Sequence, residues 1–371
     1  MKRYFSYIVL SLSVLIYSGC GSDEVEEVNQ VNEVEFSSLF ENIADNIIIP
    51  RYLSFQAELS ALQDKLNDLD TNDSETIVAF QNQFKSTYLN WQTISVFEFG
   101  PAAEFSALLR DNINSFPTEV DKIEYNIELG EYNLSSASNY FAKGLPAIDY
   151  LFFHAPLNEI AIELSDSSRL SYVSNCIDDM VTRLDGVILG WDSYRSIFVQ
   201  SQGNDQSSSL SLLFNYFLYD YEQIKRNKFA LPAGFATSFG IPISADTSIV
   251  EARFSKISLE LIGANLNALE KIYLGVGEDG VDRVGIYEKL KEYNAQSTVV
   301  EGDLADAIQD QFLLCKNSVS DFNNSLPYEI INNISQVQEV SNELQKMVPM
   351  IKNDMRSYLS VTVTIGDSDG D

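Results

Sequence analysis

Residues 170–198 read LSYVSNCIDDMVTRLDGVILGWDSYRSIF, and the fold turns on this stretch. Leu170, Val173, Ile177, Met180, Leu184, Val187, Trp191, Tyr194 and Phe198 recur in alternating steps of three and four. That repeat lines one face of a helix, whereas a half-buried strand needs a period of two. A seam this long packs against other helices in a bundle.

Working outward, Ile77, Phe80, Phe84, Trp91 and Ile94 share another helical face, which opens near Asp73-Ser74 and stops at Gly100-Pro101. Upstream, Ser37 to Leu69 keeps helical spacing but is interrupted by Pro50 after Asn46-Ile47-Ile48-Ile49, which predicts a kinked or broken helix. Downstream, Leu210, Phe214, Phe217, Tyr221 and Ile224 form a stripe that ends at Leu231-Pro232-Ala233-Gly234. Asp246-Thr247-Ser248 is expected to open a long helix closed by Gly275, with Glu251 completing a capping box with Ser248. Ile330, Ile334, Val337, Leu344, Ile351 and Met355 mark the last helix, and Val361 to Ile365 is the one convincing strand-like run. The class is therefore all-α.

At 371 residues the chain exceeds the usual size of one core. The polar run Ser201 to Ser209 marks a helix break, and two helical-bundle domains are expected, 37–203 and 204–371. Ala230-Leu231-Pro232-Ala233 echoes Gly144-Leu145-Pro146-Ala147, a faint hint that the halves are copies. The formal net charge of −30 argues against nucleic acid as a partner, because a strong polyanion repels phosphate backbones. Cys176 and Cys315 lie in helical apolar patterns and read as small buried hydrophobes, with a disulfide as the lesser alternative.

The N-terminus reads differently. Lys2 and Arg3 precede an apolar stretch, Phe5 to Tyr17, that is too short to span a bilayer and is read as a signal peptide over 1–19. It ends at Ser18-Gly19-Cys20, which resembles the lipobox of bacterial lipoproteins, with Tyr17 where that motif usually has Leu. The resemblance implies lipid on Cys20 and attachment to a membrane of the cell envelope, the outer membrane on its periplasmic side or at the surface. The acidic residues that follow, within 20–36, suit a flexible tether.

Several segments of the body, in order, resemble the imelysin-like family of bacterial envelope proteins. They are Ile43-Ala44-Asp45-Asn46-Ile47-Ile48-Ile49-Pro50-Arg51-Tyr52, Phe97-Glu98-Phe99-Gly100-Pro101-Ala102 and Gly144-Leu145-Pro146-Ala147-Ile148-Asp149-Tyr150-Leu151. Tyr221-Glu222-Gln223-Ile224-Lys225-Arg226, Val250-Glu251-Ala252-Arg253-Phe254-Ser255 and Asp369-Gly370-Asp371 continue the match. The resemblance implies two bundle-like helical domains, a link to iron uptake, and a site on the motif Gly-x-His-x-x-Glu. In this chain Gly144 matches, Pro146 replaces the His, and Asp149 replaces the Glu. The peptidase chemistry of the family name loses its imidazole.

The candidate site residues are weighed against ordinary structural roles. Gly144 and Pro146 are expected to break a helical ladder and expose carbonyls near Asp149, which would then hold a cation or cap the restarted helix. His154 is the sole histidine, too little for a multi-His zinc centre, and reads first as a structural residue and second as a metal ligand beside Asp149. The run Tyr216 to Glu222 offers oxygen ligands for a hard cation but reads first as aromatic core. The terminal Gly366-Asp367-Ser368-Asp369-Gly370-Asp371 resembles the start of a calcium loop without its closing Glu. No phosphate-binding glycine loop, nucleophile elbow or Cys-pair metal motif is present. The expected role is a non-catalytic binding component of iron or haem acquisition, with iron or calcium as the possible cofactor and uptake proteins as possible partners. The alternatives are an imelysin-type metallopeptidase and a surface protein-interaction module.

Overall fold

The seam read first is one continuous helix, Ser167–Gln200, whose Val173, Ile177, Met180, Leu184, Val187, Trp191 and Phe198 are all buried. Asp166 caps it by accepting the N–H of Ser168. The protein is a computed structural model that describes residues 35–104, 106–238 and 240–364. The expectations for the leader, for Cys20 and for Gly366–Asp371 lie outside those residues. Among the described residues the fold is all-α, and strand is confined to the antiparallel pair Thr237–Ser238 and Ile241–Pro242.

Pro50 does not break its helix. The chain widens instead into π-helical turns over Ile43–Ile48, and Pro50 enters the first turn of Ile49–Asn67. There its missing N–H costs little. The carbonyl of Asn46, which Pro50 would have satisfied in an unbroken ladder, accepts the N–H of Glu278 at 2.9 Å. Arg51 follows with Nε 2.7 Å from Glu278 Oε1, and Asn42 Nδ2 donates to the carbonyls of Gly275 and Val284. The opening helix is thus stitched to a loop more than two hundred residues away.

Asp73 caps Ser74–Ile94 as expected, and the polar run after Gln200 ends where Ser208 caps Ser209–Glu222. Gly275 closes Ser258–Leu274 in the left-handed region at φ +72°. An alanine there would place its Cβ 2.4 Å from the carbonyl oxygen of Arg283. Helices from both sides of residue 203 pack together, Ser258–Leu274 lying against Ser74–Ile94, and the described residues fall in one compact unit, Val34–Asp371.

Three further expectations need correction. The last helix is two, Leu326–Asn332 and Ile334–Pro349, followed by a π-helical stretch Met350–Met355 that absorbs Pro349. Among the described residues Val361 to Thr364 forms no strand; the N–H of Thr364 and the carbonyl of Thr362 go to the side chain of Asn215. The helix expected from Asp246 is only the single turn Thr247–Ile249, and the long helix begins at Ser258. Cys176 and Cys315 are buried free thiols, and burial pushes the Cys176 thiol up to about 12.

Candidate functional site

The motif region starts a helix and does not break one. Gly144 takes φ +66°, and a Cβ there would sit 2.3 Å from the carbonyl oxygen of Ile113. Only glycine can turn the chain this close to that backbone. Gly144–Phe153 then runs uninterrupted, with Pro146 in its first turn, where a helix needs no donor. The exposed carbonyls expected near Asp149 are therefore not produced by a kink. The carbonyl of Pro146 accepts the Thr118 hydroxyl at 3.3 Å.

Asp149 lies on the middle of this helix at 1% exposure. Its Oδ2 accepts the N–H of Phe254 at 3.1 Å and its Oδ1 that of Ser255 at 2.9 Å. It caps the turn at 251–256, in which Ala252 and Lys256 are left-handed, and not its own helix. Burial pushes the Asp149 carboxyl up to about 6, against the pull of those N–H groups and of Arg253.

His154 belongs to a different cluster. Its Nδ1 is 2.9 Å from the Tyr150 carbonyl and its Nε2 3.2 Å from Glu163. Arg169 bridges Glu163 to Glu124, which in turn accepts the Tyr150 hydroxyl at 2.7 Å. Asp149 and His154 thus spend their polar atoms on separate partners. Among the described residues no group of three or more His, Cys, Asp or Glu side chains is gathered to hold a metal ion.

Among the buried carboxylates that do collect side-chain partners is Glu251. The capping role expected of it is overturned: Glu251 follows the short turn opened by Asp246 and is fully buried. Its Oε1 accepts Asn114 Nδ2 at 2.7 Å and Gln92 Nε2 at 3.2 Å, while Lys228 Nζ stands 3.3 Å from Oε2. Lys228, itself 2% exposed, also donates to Asn265 Oδ1 at 3.0 Å and to Gln92. From Asn265 the network runs to Asp220 Oδ2 at 2.6 Å, and Arg110 joins Asp220 to Glu98 at 2.6 and 2.7 Å. Tyr88 donates to Asn114 at 2.6 Å, and burial, then the charges of Glu251 and Asp149, hold its phenol well above the usual range. These groups come from six separate helices or turns and the loop that carries Glu98, so a buried polar chain crosses the core.

In the run Tyr216 to Glu222, Phe217 and Tyr221 are core as expected, but fully buried Asp220 between them belongs to this chain of polar groups. Apolar spacing passes over such residues. The signal that marks them is a polar residue at a position the period assigns to the core, as with Gln92 beside Trp91 or Asn265 between Ile262 and Leu269.

A helical bundle of this kind matches known proteins. The family model Imelysin covers residues 48–348. The chain belongs to the imelysin family. Among solved structures, one from Parabacteroides distasonis assigned as an iron-regulated protein A precursor superposes with a TM-score of 0.69 at 13% identity, over 86% of this chain and 95% of that one. An imelysin-like protein from Psychrobacter arcticum gives 0.67 at 16% identity, over 90% and 99%. No curated protein matches the chain in sequence.

Proposed function

We propose that the protein is a non-catalytic binding component of iron or haem acquisition, held at the cell envelope by lipid on Cys20. The observation that carries the non-catalytic part is the state of the motif. Pro146 stands where the family's imidazole would be, and both oxygens of Asp149 already accept backbone N–H groups. A hydrolytic metal centre needs several ligands and a water it can activate. The iron link is supported by family membership and by the relative assigned as iron-regulated.

Calorimetric titration of the purified protein with haemin, ferric citrate and zinc tests this reading. The expected result is saturable binding of an iron compound with no peptide hydrolysis. Zinc-dependent hydrolysis that disappears in Asp149→Asn would overturn it and restore the metallopeptidase. The anchor is tested separately: Cys20→Ser is expected to move the protein out of the membrane fraction and abolish palmitate labelling.

A further inference from the structure

One open cleft, of 610 Å³, lies beside the motif and is lined by Thr118, Glu119, Asp121, Lys122, Tyr125 and Arg253. Two of its walls are tied to the family motif: Thr118 donates to the Pro146 carbonyl, and Arg253 immediately precedes the Phe254 whose N–H is held by Asp149.

Arg253 is unusual in this molecule. In a chain with 54 acidic and 24 basic residues, arginines find partners easily. Arg51, Arg110, Arg169, Arg183, Arg195, Arg226, Arg283 and Arg356 each donate at least one hydrogen bond to the protein. Among the described residues Arg253 alone donates none, and its Nε is shielded from solvent as well. Its guanidinium instead rests over the Phe254 ring at 4.4 Å. Lys122 is placed the same way, 5.2 Å from the centre of the half-exposed Tyr125 ring. Aromatic seats orient a cation without using up its N–H donors. A guanidinium held so is ready for the two-point grip that a carboxylate fits.

We propose that this cleft binds a small polycarboxylate, free or as its ferric complex, with Arg253 as the principal anchor and Lys122 as the second. Glu119 and Asp121 on the same rim are oxygen donors compatible with the hard cation such an acid carries. The ferric part of this proposal rests on the iron reading above; the carboxylate part does not.

The test is calorimetry on the full-length protein in detergent, with citrate alone and with ferric citrate as probes. Arg253→Gln is expected to weaken both by at least about tenfold and Lys122→Gln by a few-fold, while Lys316→Gln, in a separate depression on the helix Leu304–Ser320, leaves them unchanged. Circular dichroism checks that Arg253→Gln folds, and the partly exposed Lys122 carries the test if it does not. Citrate binding that depends on Arg253, with no binding of ferric citrate or haemin, supports the cleft and overturns the iron reading. Absence of citrate and ferric citrate binding, or affinities indifferent to both variants, overturns the cleft; haemin binding insensitive to them would then leave the iron reading standing without it.

Discussion

Asp149 and Glu251 are both buried carboxylates, and they are kept in the core by different means. Asp149 has no cation bonded to it and is met by two backbone N–H groups of the turn at 251–256. Glu251, at the start of that same turn, is met by Lys228 and by the amides of Asn114 and Gln92. Dipoles from a turn stabilise a carboxylate only while the turn keeps its shape, and burial still pushes Asp149 up to about 6. A lysine neutralises charge directly, but it is buried too, so each ion depends on the other. The comparison teaches that the position matching the family motif is a structural brace, while a convergence of buried polar side chains lies next to it and is equally enclosed.

The largest effect is expected from Lys228→Met. It removes the cation beside the buried Glu251 carboxyl and leaves that group without a charge partner in the core, and a loss of about 3–5 kcal/mol in urea unfolding is expected. A loss below about 1 kcal/mol would mean that Asn114 and Gln92 suffice, and would erase the contrast with Asp149.

Asp149→Asn tests the other arm and should cost about 1–3 kcal/mol, since one amide cannot accept from both N–H groups as the carboxylate does. Its pH dependence has a definite sign. The folded-state value of about 6 lies above the ordinary 3.8, so the folded protein holds the extra proton between those values. The contribution of Asp149 is therefore greatest near pH 4, declines by at most about 1.4 kcal/mol per pH unit as pH rises to about 6, and is level beyond. The stability gap between wild type and Asp149→Asn should shrink over that window. A gap that widened as pH rose would show a carboxylate stabilised by ionisation, as expected for one paired to a cation.

The smallest effect is expected for Arg195→Ala. Arg195 grips Asp45 through two hydrogen bonds of 2.6 Å, yet both side chains are about two-fifths exposed. Water screens the pair, and a loss below about 1 kcal/mol is expected. A loss as large as that of Lys228→Met would mean that burial is not what separates strong pairs from weak ones here.

Much of the fold was legible from local pattern. The apolar seam of Ser167–Gln200, the Asp73 cap, the Gly275 stop and the polar interval before Ser209 all depend on residues within a few positions of one another. Helical period, capping and left-handed glycine are short-range effects, so a linear reading finds them. The same short range explains the misreadings. Pro50 predicts a break only if no outside donor meets the Asn46 carbonyl, and the donor is the N–H of Glu278. Gly144 and Pro146 suggest a kink only if a helix precedes them, whereas the helix begins there.

Family membership was readable as a resemblance carried by short segments in order along the chain, because residue identity and order are linear properties. Which carboxylate gathers partners was not. Glu251 forms a plausible capping box with Ser248 on paper, and its real partners stand at positions 92, 114 and 228. The double backbone grip on Asp149 likewise joins segments about one hundred residues apart. Hydrophobic periodicity determines which faces of helices turn inward, and that is written locally. Which buried polar groups then meet depends on how the helices pack, because a buried donor must find its acceptor wherever the packing brings one.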